Sequence, residues 1–373
     1  MDILHINSYY STSSFYKNLF DKQKENNLDI KVIIPVSNEF DISNKSFGIY
    51  SDVSRNYKKI DRMFYYRKQN KIINDLTNRH NVSDFSIVHA HSLFTNGYVA
   101  MKLKEFYNIP YIVTVRNTDM NIFFKYMVHL RNTGIKILNN ASNIVFLSDS
   151  YREKLINTYI PYKIQKDILQ KSIVIPNGID EFWFKNKNTP KTLNIKKMNL
   201  LFVGDINKNK NVETIIEAIK KLKHKKYNIY FTIVGKIKDE NLYKAIKKSS
   251  FISYKEPMSK EHLLEIYRAS DIFIMPSKRE SFGLVYAEAM SQGLPLIYST
   301  GQGFDQQFPD GCVGFGVKSK KKNDIAAKIE KIINNYNELS SNAVNNVDKF
   351  DWSNLAENYE EIYKRILQSK YEN

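Results

Sequence analysis

The chain has 373 residues, with 56 Lys+Arg against 39 Asp+Glu, a formal net charge of +17 and a single cysteine, Cys312. One cysteine excludes an internal disulfide framework and a cysteine-rich metal site, and no stretch approaches the roughly 20 apolar residues of a membrane span. The opening MDILHINSYY has no basic region followed by an apolar run, so it does not read as a secretory signal; the expectation is a cytoplasmic protein, soluble or attached to the inner face of a membrane.

Taken in chain order, the first segment, DILHIN, reads as a short buried strand and FYKNLFDKQKENN as a helix. DIKVIIPV is a second strand. Residues 55–72, RNYKKIDRMFYYRKQNKI, form the densest basic patch, with Tyr57, Phe64, Tyr65 and Tyr66 interleaved. The patch has two readings: a solvated helix whose aromatics face the core, or a surface that meets anionic lipid headgroups through bases such as Arg62, Arg67 and Lys68. FSIVHAH, IPYIVTVRN, ASNIVFLS and KSIVIPN are further strands, separated by helical stretches such as GYVAMKLKEFYN.

The alternation then restarts. MNLLFVGDI, YNIYFTIVGKI, SSFISY, DIFIMPS and LPLIYST read as strands; VETIIEAIKKLKH, KDENLYKAIKKS, KEHLLEIYRAS and FGLVYAEAMSQG read as helices. Strands alternating with amphipathic helices predict α/β domains with mostly parallel sheets. The expected arrangement is two Rossmann-like, doubly wound domains, 1–178 and 179–354, with a junction near PNGID (176–180). Ligands of such sheets sit beyond the carboxyl ends of the strands. Neither half has GxGxxG after its first strand, and GQGFDQQ (301–307) does not supply it, so a standard dinucleotide site is not expected.

The segment PSKRESFGLVYAE carries the chemistry. Glu280 and Glu288 bracket seven residues without another charge. A helix is expected to start at 281–283, with Ser281 as N-cap and Gly283 allowing close backbone approach. The amides of Phe282, Gly283 and Leu284 then form an anion site between two carboxylates. Carboxylate, phosphate cradle, carboxylate is the complement of a nucleotide sugar. LLFVGDINKNKNVETIIEAI (200–219) adds Gly204 and, in its polar loop, Lys208 and Lys210, placed to reach a phosphate. His89 and His91 share a strand face, but no third metal ligand is in view. The charge excess is divided evenly between the halves, which argues against a nucleic-acid partner.

These blocks resemble glycosyltransferase family 4, retaining nucleotide-sugar transferases of the GT-B fold. The resemblance rests on PNGID, on 202–219, on DIFIMPSKRESFGLVYAEAMSQGLPLI (271–297) and on FDWSNLAENYEEIYKRIL (350–367). It implies an N-terminal acceptor domain, a C-terminal donor domain and a terminal helix, about 355–373, that packs back on the first domain. It implies that Glu288 binds the donor ribose and that Glu280 lies against the hexose near the reacting carbon. The amides at 282–284 would hold the diphosphate, and Lys210 would neutralise it as it leaves. It implies a nucleotide-diphosphate sugar as co-substrate, taken as UDP-linked, with no cofactor and no metal. The acceptor would be a glycan or lipid-linked oligosaccharide, as in bacterial surface polysaccharide assembly.

Three positions depart from the family pattern. Asp205 stands where Arg is frequent, which leaves Lys208 to compensate or Asp205 to point away. VRNTD puts Arg116 where a His is frequent, ahead of Asp119. NSYYSTSSF (7–15) replaces a glycine-rich loop, with the hydroxyls of Ser11 and Ser13 as stand-ins for amides. Arg116, Asp119, His91, Ser11 and Ser13 are therefore candidates for the acceptor side. These departures also keep open a catalytically silent relative that binds sugar or nucleotide as a partner subunit.

Overall fold

The computed structural model describes residues 1–43 and 45–371. The chain divides into two compact units: Met1–Leu147 with Tyr151–Gly178 and the segment from Trp352 onward, and Ser148–Ser150 with Ile179–Asp351.

The first unit holds seven strands: β1 (Asp2–Ile6), β2 (Asp29–Ser37), β3 (Ser51–Tyr57), β4 (Ile87–Ala90), β5 (Tyr111–Thr114), β6 (Asn143–Phe146) and β7 (Ser172–Val174). They pair in parallel in the order β3-β2-β1-β4-β5-β6-β7. The second unit holds β8 (Met198–Val203), β9 (Ile229–Val234), β10 (Ile252–Lys255), β11 (Ile272–Ile274), β12 (Leu296–Ser299) and β13 (Gly314–Val317). These run in parallel in the order β10-β9-β8-β11-β12-β13. Both sheets are doubly wound. Their topological switch points lie between β1 and β4 and between β8 and β11, where such sheets take ligands.

Burial explains why most strands were readable. β4 and β5 are buried along their whole length, as strands covered by helices on both faces must be. Two strands were missed. β3 (SDVSRNY) is a polar edge strand with no apolar run to mark it, and β13 (GFGV) is four residues long with two glycines. Residues 55–72 are therefore not one helix: they complete β3, turn through Lys59–Met63 and enter a helix at Tyr65–Arg79.

The terminal helix, Trp352–Tyr371, belongs to the first unit. Its Trp352 ring stands 5.0 Å from Phe15, and Leu355, Tyr359, Ile362 and Tyr363 are buried with the apolar face of β1 and β2. No described helix is long and apolar enough to cross a membrane.

Candidate functional site

The site of the second unit is built where β8 and β11 end. β8 stops at Val203, and Gly204 follows at φ +150°, its amide donating to the Val234 carbonyl. Asn207 then turns the loop: its Oδ1 accepts from the amides of Asn209 and Lys210 at 2.9 and 3.1 Å. Asn209 ties this loop to the one after β11. Its side chain donates to the Arg279 carbonyl and accepts from the Arg279 amide, and its carbonyl takes the Lys278 amide. This lacing brings together residues 70 positions apart. The Lys210 ammonium donates to Glu280 Oε2 at 2.6 Å, with side chains only 20% and 12% exposed. Ser277 donates to the same oxygen at 3.3 Å, and the Glu280 amide is fixed by Gln302 Oε1 at 2.9 Å.

The next helix spans Leu284–Ser291, with Gly283 as its cap at φ +78°. A side chain at Gly283 would be strained there, and its Cβ would come 2.5 Å from the Tyr286 ring. Ser281 is not the cap: it is exposed, and its amide is taken by Glu280 Oε1 at 3.1 Å. A left-handed entry favours glycine, so the capping role falls two residues later than the sequence suggests. Among the described residues no protein group accepts from the amides of Phe282, Gly283 or Leu284. The buried Phe282 ring, 5.6 Å from Phe350, anchors the loop that presents them.

Glu288 stands one turn into that helix, half-buried, and accepts from the Tyr267 hydroxyl at 3.1 Å. Burial pushes its carboxyl up to about 7, against the opposing pull of the Tyr267 hydrogen bond and of Lys260; Asp180 adds to the rise. Lys260 is itself paired with Asp180. Asp205 is compensated, but not by Lys208. Its carboxylate meets Lys238 at 2.5 Å, while Lys208 is exposed. The arrangement offers two carboxylates, one ammonium and three open amides around the β8/β11 switch point.

Gln302 and Gly303 also belong to the site, which the sequence does not show, because GQGFDQQ resembles only an incomplete dinucleotide loop. A Cβ on Gly303 would lie 1.9 Å from the Ser281 carbonyl, so the glycine lets this loop brace the Glu280 loop. Tyr267 and Lys260 carried no local signal: both read as ordinary residues of an amphipathic helix.

The first unit gives a mixed outcome. Asp119 and His91 have fully buried side chains and present nothing to an acceptor. Asp119 accepts from the amides of Leu93, Phe94 and Arg116 at 2.8–3.0 Å, tying the ends of β4 and β5 together. Even so, burial lifts its carboxyl to about 6. Arg116 is partly exposed; it donates to the His91 carbonyl and to Asn177 Oδ1 and lies over the Tyr16 ring at 5.3 Å. In the 7–15 loop Asn7 Oδ1 takes the amides of Tyr9 and Tyr10, Ser11 donates to the Ser8 carbonyl and the Ser13 amide donates to the Tyr9 carbonyl. The Asn7 side chain and the Ser11 hydroxyl thus hold the loop's own shape.

A third histidine does exist. His5 on β1 is in register with His89 on β4, and His5, His89 and His91 each bring a nitrogen within 4.8 Å of the others. They are the candidate metal ligands among the described residues. The set is imidazole-rich, as zinc accepts. The nitrogens are partly engaged already. His5 Nδ1 and His91 Nε2 are 3.0 Å apart, and His89 bonds the hydroxyls of Tyr363 and Thr114 at 2.8 and 3.0 Å. Burial holds all three neutral, His5 down to about 3. The unfolded chain binds protons on them from pH 6.5 downward and the folded chain does not, so stability falls on acidification by about 1 kcal/mol per pH unit for each. The raised carboxyls of Glu288 and Asp119 pull the other way in this window, but three histidines outweigh two carboxyls, so the melting temperature should drop between pH 6.5 and 5. A flat profile in that window would contradict neutral burial of the three.

With this geometry in place, the likeness to known proteins is informative. Residues 48–181 match the family described as Glycosyltransferase Family 4, and residues 184–350 match Glycosyl transferases group 1. The capsular polysaccharide biosynthesis glycosyltransferase CapM of Staphylococcus aureus is 27% identical over 274 residues, 69% of this chain and 70% of that one. Among solved structures, sucrose-phosphate synthase of Thermosynechococcus elongatus superposes with a TM-score of 0.74 at 17% identity, covering 99% and 100% of the two chains. HepE of Anabaena, in complex with UDP, gives 0.70 at 13% identity over 98% and 100%. Two matched family segments, one mainly in each unit, on two doubly wound parallel sheets, place this chain in glycosyltransferase family 4, with the GT-B fold and glycosyltransferase activity.

Proposed function

We propose that the protein transfers a hexose-type sugar from a UDP-linked donor, with retention and without a metal, to a hydroxyl of a glycan or lipid-linked acceptor. The observation that carries this reading is the Lys210–Glu280 pair beside the open amides of 282–284, with Glu288 one helical turn away. The amides and Lys210 suit a diphosphate, and a carboxylate on either side suits sugar hydroxyls. Charge develops on the leaving diphosphate, so donors fixed there act mainly on the transition state. The acceptor hydroxyl attacks the face from which the diphosphate leaves, and a diphosphate oxygen takes its proton. A double displacement with Glu280 as nucleophile is less well supported, because Glu280 Oε2 is already held by Lys210 and Ser277. The likeness to CapM, named for capsular polysaccharide biosynthesis, favours bacterial surface polysaccharide as the product. Pairing of Asp205 with Lys238 weakens one of the two grounds for a silent relative that binds sugar or nucleotide, and Arg116 remains the other.

Thermal melting with a panel of nucleotides and nucleotide sugars, in chelator, tests the donor. A UDP sugar at about 100 times its dissociation constant should stabilise the fold by about 2.7 kcal/mol, and Glu288→Ala should remove most of that shift. No shift with any member of the panel, on folded protein, would overturn the reading. The anomeric configuration of the product, read by NMR, decides between retention and inversion.

A further inference from the structure

We propose that the first unit takes an acceptor bearing a phosphate or diphosphate next to its sugar, with Arg62 and Lys68 as the anion-binding pair. This rests on the transferase reading above and specifies the acceptor class. A cavity of about 270 Å³ opens at the carboxyl ends of β1, β2 and β3. Ser8, Ser11, Thr12 and Ser37 line it with hydroxyls, and Arg62 and Lys68 line it with positive charge. Both cations sit over one ring: Lys68 Nζ is 4.7 Å and Arg62 Cζ 6.0 Å from the Tyr57 centroid.

Two neighbouring bases on the same helix as Lys68 are already neutralised. Arg67 and Lys71 both pair with the buried Asp61, at 3.0 and 2.7 Å. Among the described residues no carboxylate pairs with Arg62 or Lys68. Two like charges held together without a counter-ion repel, and Lys68 is lowered to about 8 by burial and by Arg62. An anion relieves both costs, and a guanidinium beside an ammonium suits phosphate in particular. The hydroxyl-lined wall suits the sugar that follows it.

The phosphate has two possible sources, a soluble sugar phosphate or a lipid-linked one. The turn that carries Arg62 exposes Ile60, Met63 and Phe64, by 54%, 76% and 53%. This apolar rim beside the cations makes the lipid source worth a separate arm.

The test uses the full chain. Binding of glucose 6-phosphate and of glucose is measured by calorimetry. Sedimentation is measured with phosphatidylcholine vesicles that are plain, or doped with a polyprenyl phosphate or with phosphatidylglycerol. The variants are Arg62→Gln/Lys68→Gln, Arg62→Gln alone, which alters an exposed side chain and keeps the fold, and Lys220→Gln/Lys221→Gln as an equal loss of charge elsewhere. The expected result is that glucose 6-phosphate or the polyprenyl phosphate vesicles bind, and that binding weakens about 10- to 100-fold in Arg62→Gln/Lys68→Gln and in part in Arg62→Gln, but not in the control. Glucose 6-phosphate binding identifies the soluble source; polyprenyl phosphate binding alone identifies the lipid source. Equal weakening in the control pair, binding of phosphatidylglycerol vesicles as strong as that of polyprenyl phosphate vesicles, or no preference for either phosphate probe would overturn the proposal. UDP-induced stabilisation measured on the same samples separates the failures: if it is present, only the acceptor assignment falls; if it is absent, the donor reading falls as well.

Discussion

Lys210→Met is expected to lower turnover by about 10²- to 10³-fold, the scale on which a single preorganised donor to developing negative charge acts. Lys210 is not a mobile surface base. It reaches Glu280 at 2.6 Å in a site where both side chains are largely shielded, so its charge is weakly screened and its position is set before donor arrives. Losing it also leaves Glu280 without its principal cation, at a cost of about 1–3 kcal/mol of stability. The two effects separate in Glu280→Gln. That variant loses the ion pair but keeps Lys210, and so is expected to retain donor-induced stabilisation while losing the contact proposed for Glu280 near the reacting carbon. Steady-state kinetics on Lys210→Met, Glu280→Gln and the double variant test this. An unchanged kcat in Lys210→Met would remove Lys210 from the chemistry, and additive losses would deny that the two act as a unit.

Glu288→Gln is expected to move stability and donor binding in opposite directions. The folded carboxyl sits at about 7, raised by burial, against about 4.5 in the unfolded chain. Between those values the folded state binds the extra proton, so stability falls as pH rises from about 4.5 through 7 and the full cost is present above 7. Glutamine carries no such cost, and the variant should be more stable than the parent at pH 8 by about 2 kcal/mol, the shift reduced for residual solvent contact. The same change removes the charge that would bind ribose hydroxyls, so UDP affinity should drop by about 10- to 100-fold. For the parent, donor binding should weaken as pH falls through 7, because the protonated carboxyl is the poorer acceptor. Melting curves at pH 6 and 8, with and without UDP, read both effects. A variant no more stable at pH 8 would mean that the carboxylate is adequately solvated. Retained affinity would move the ribose contact elsewhere.

Much of the architecture was legible because it is written in local periodicity. The buried strands β4, β5, β8 and β9 are apolar runs bounded by polar turns, and they placed the ends of the sheets at which ligands bind. ESFGLVYAE was readable for the same reason, since strand, loop, glycine and helix follow one another within twenty residues. The errors came where the deciding partner is distant. Ser281 looked like a cap, but the φ of Gly283 sets where the helix starts. Asp119 and His91 looked available for a ligand because a sequence does not show that the amides of Leu93 and Phe94, or the rings of His5 and His89, enclose them. β3 was invisible because an edge strand needs no apolar alternation.

By itself the sequence determined two doubly wound α/β units, the loop chemistry after β8 and β11, and the bracketing carboxylates, since each depends on residues within a few turns of one another. Only the tertiary structure decided that Lys210 meets Glu280, that Asp205 turns to Lys238, that Glu288 is held by Tyr267, that three histidines on β1 and at the end of β4 converge, and that Asp61 takes Arg67 and Lys71 and leaves Arg62 and Lys68 to the cavity. The physical reason is common to all five. Charge state and availability depend on what lies within a few ångströms, and in a parallel sheet those neighbours come from strands and loops tens of residues apart in the chain.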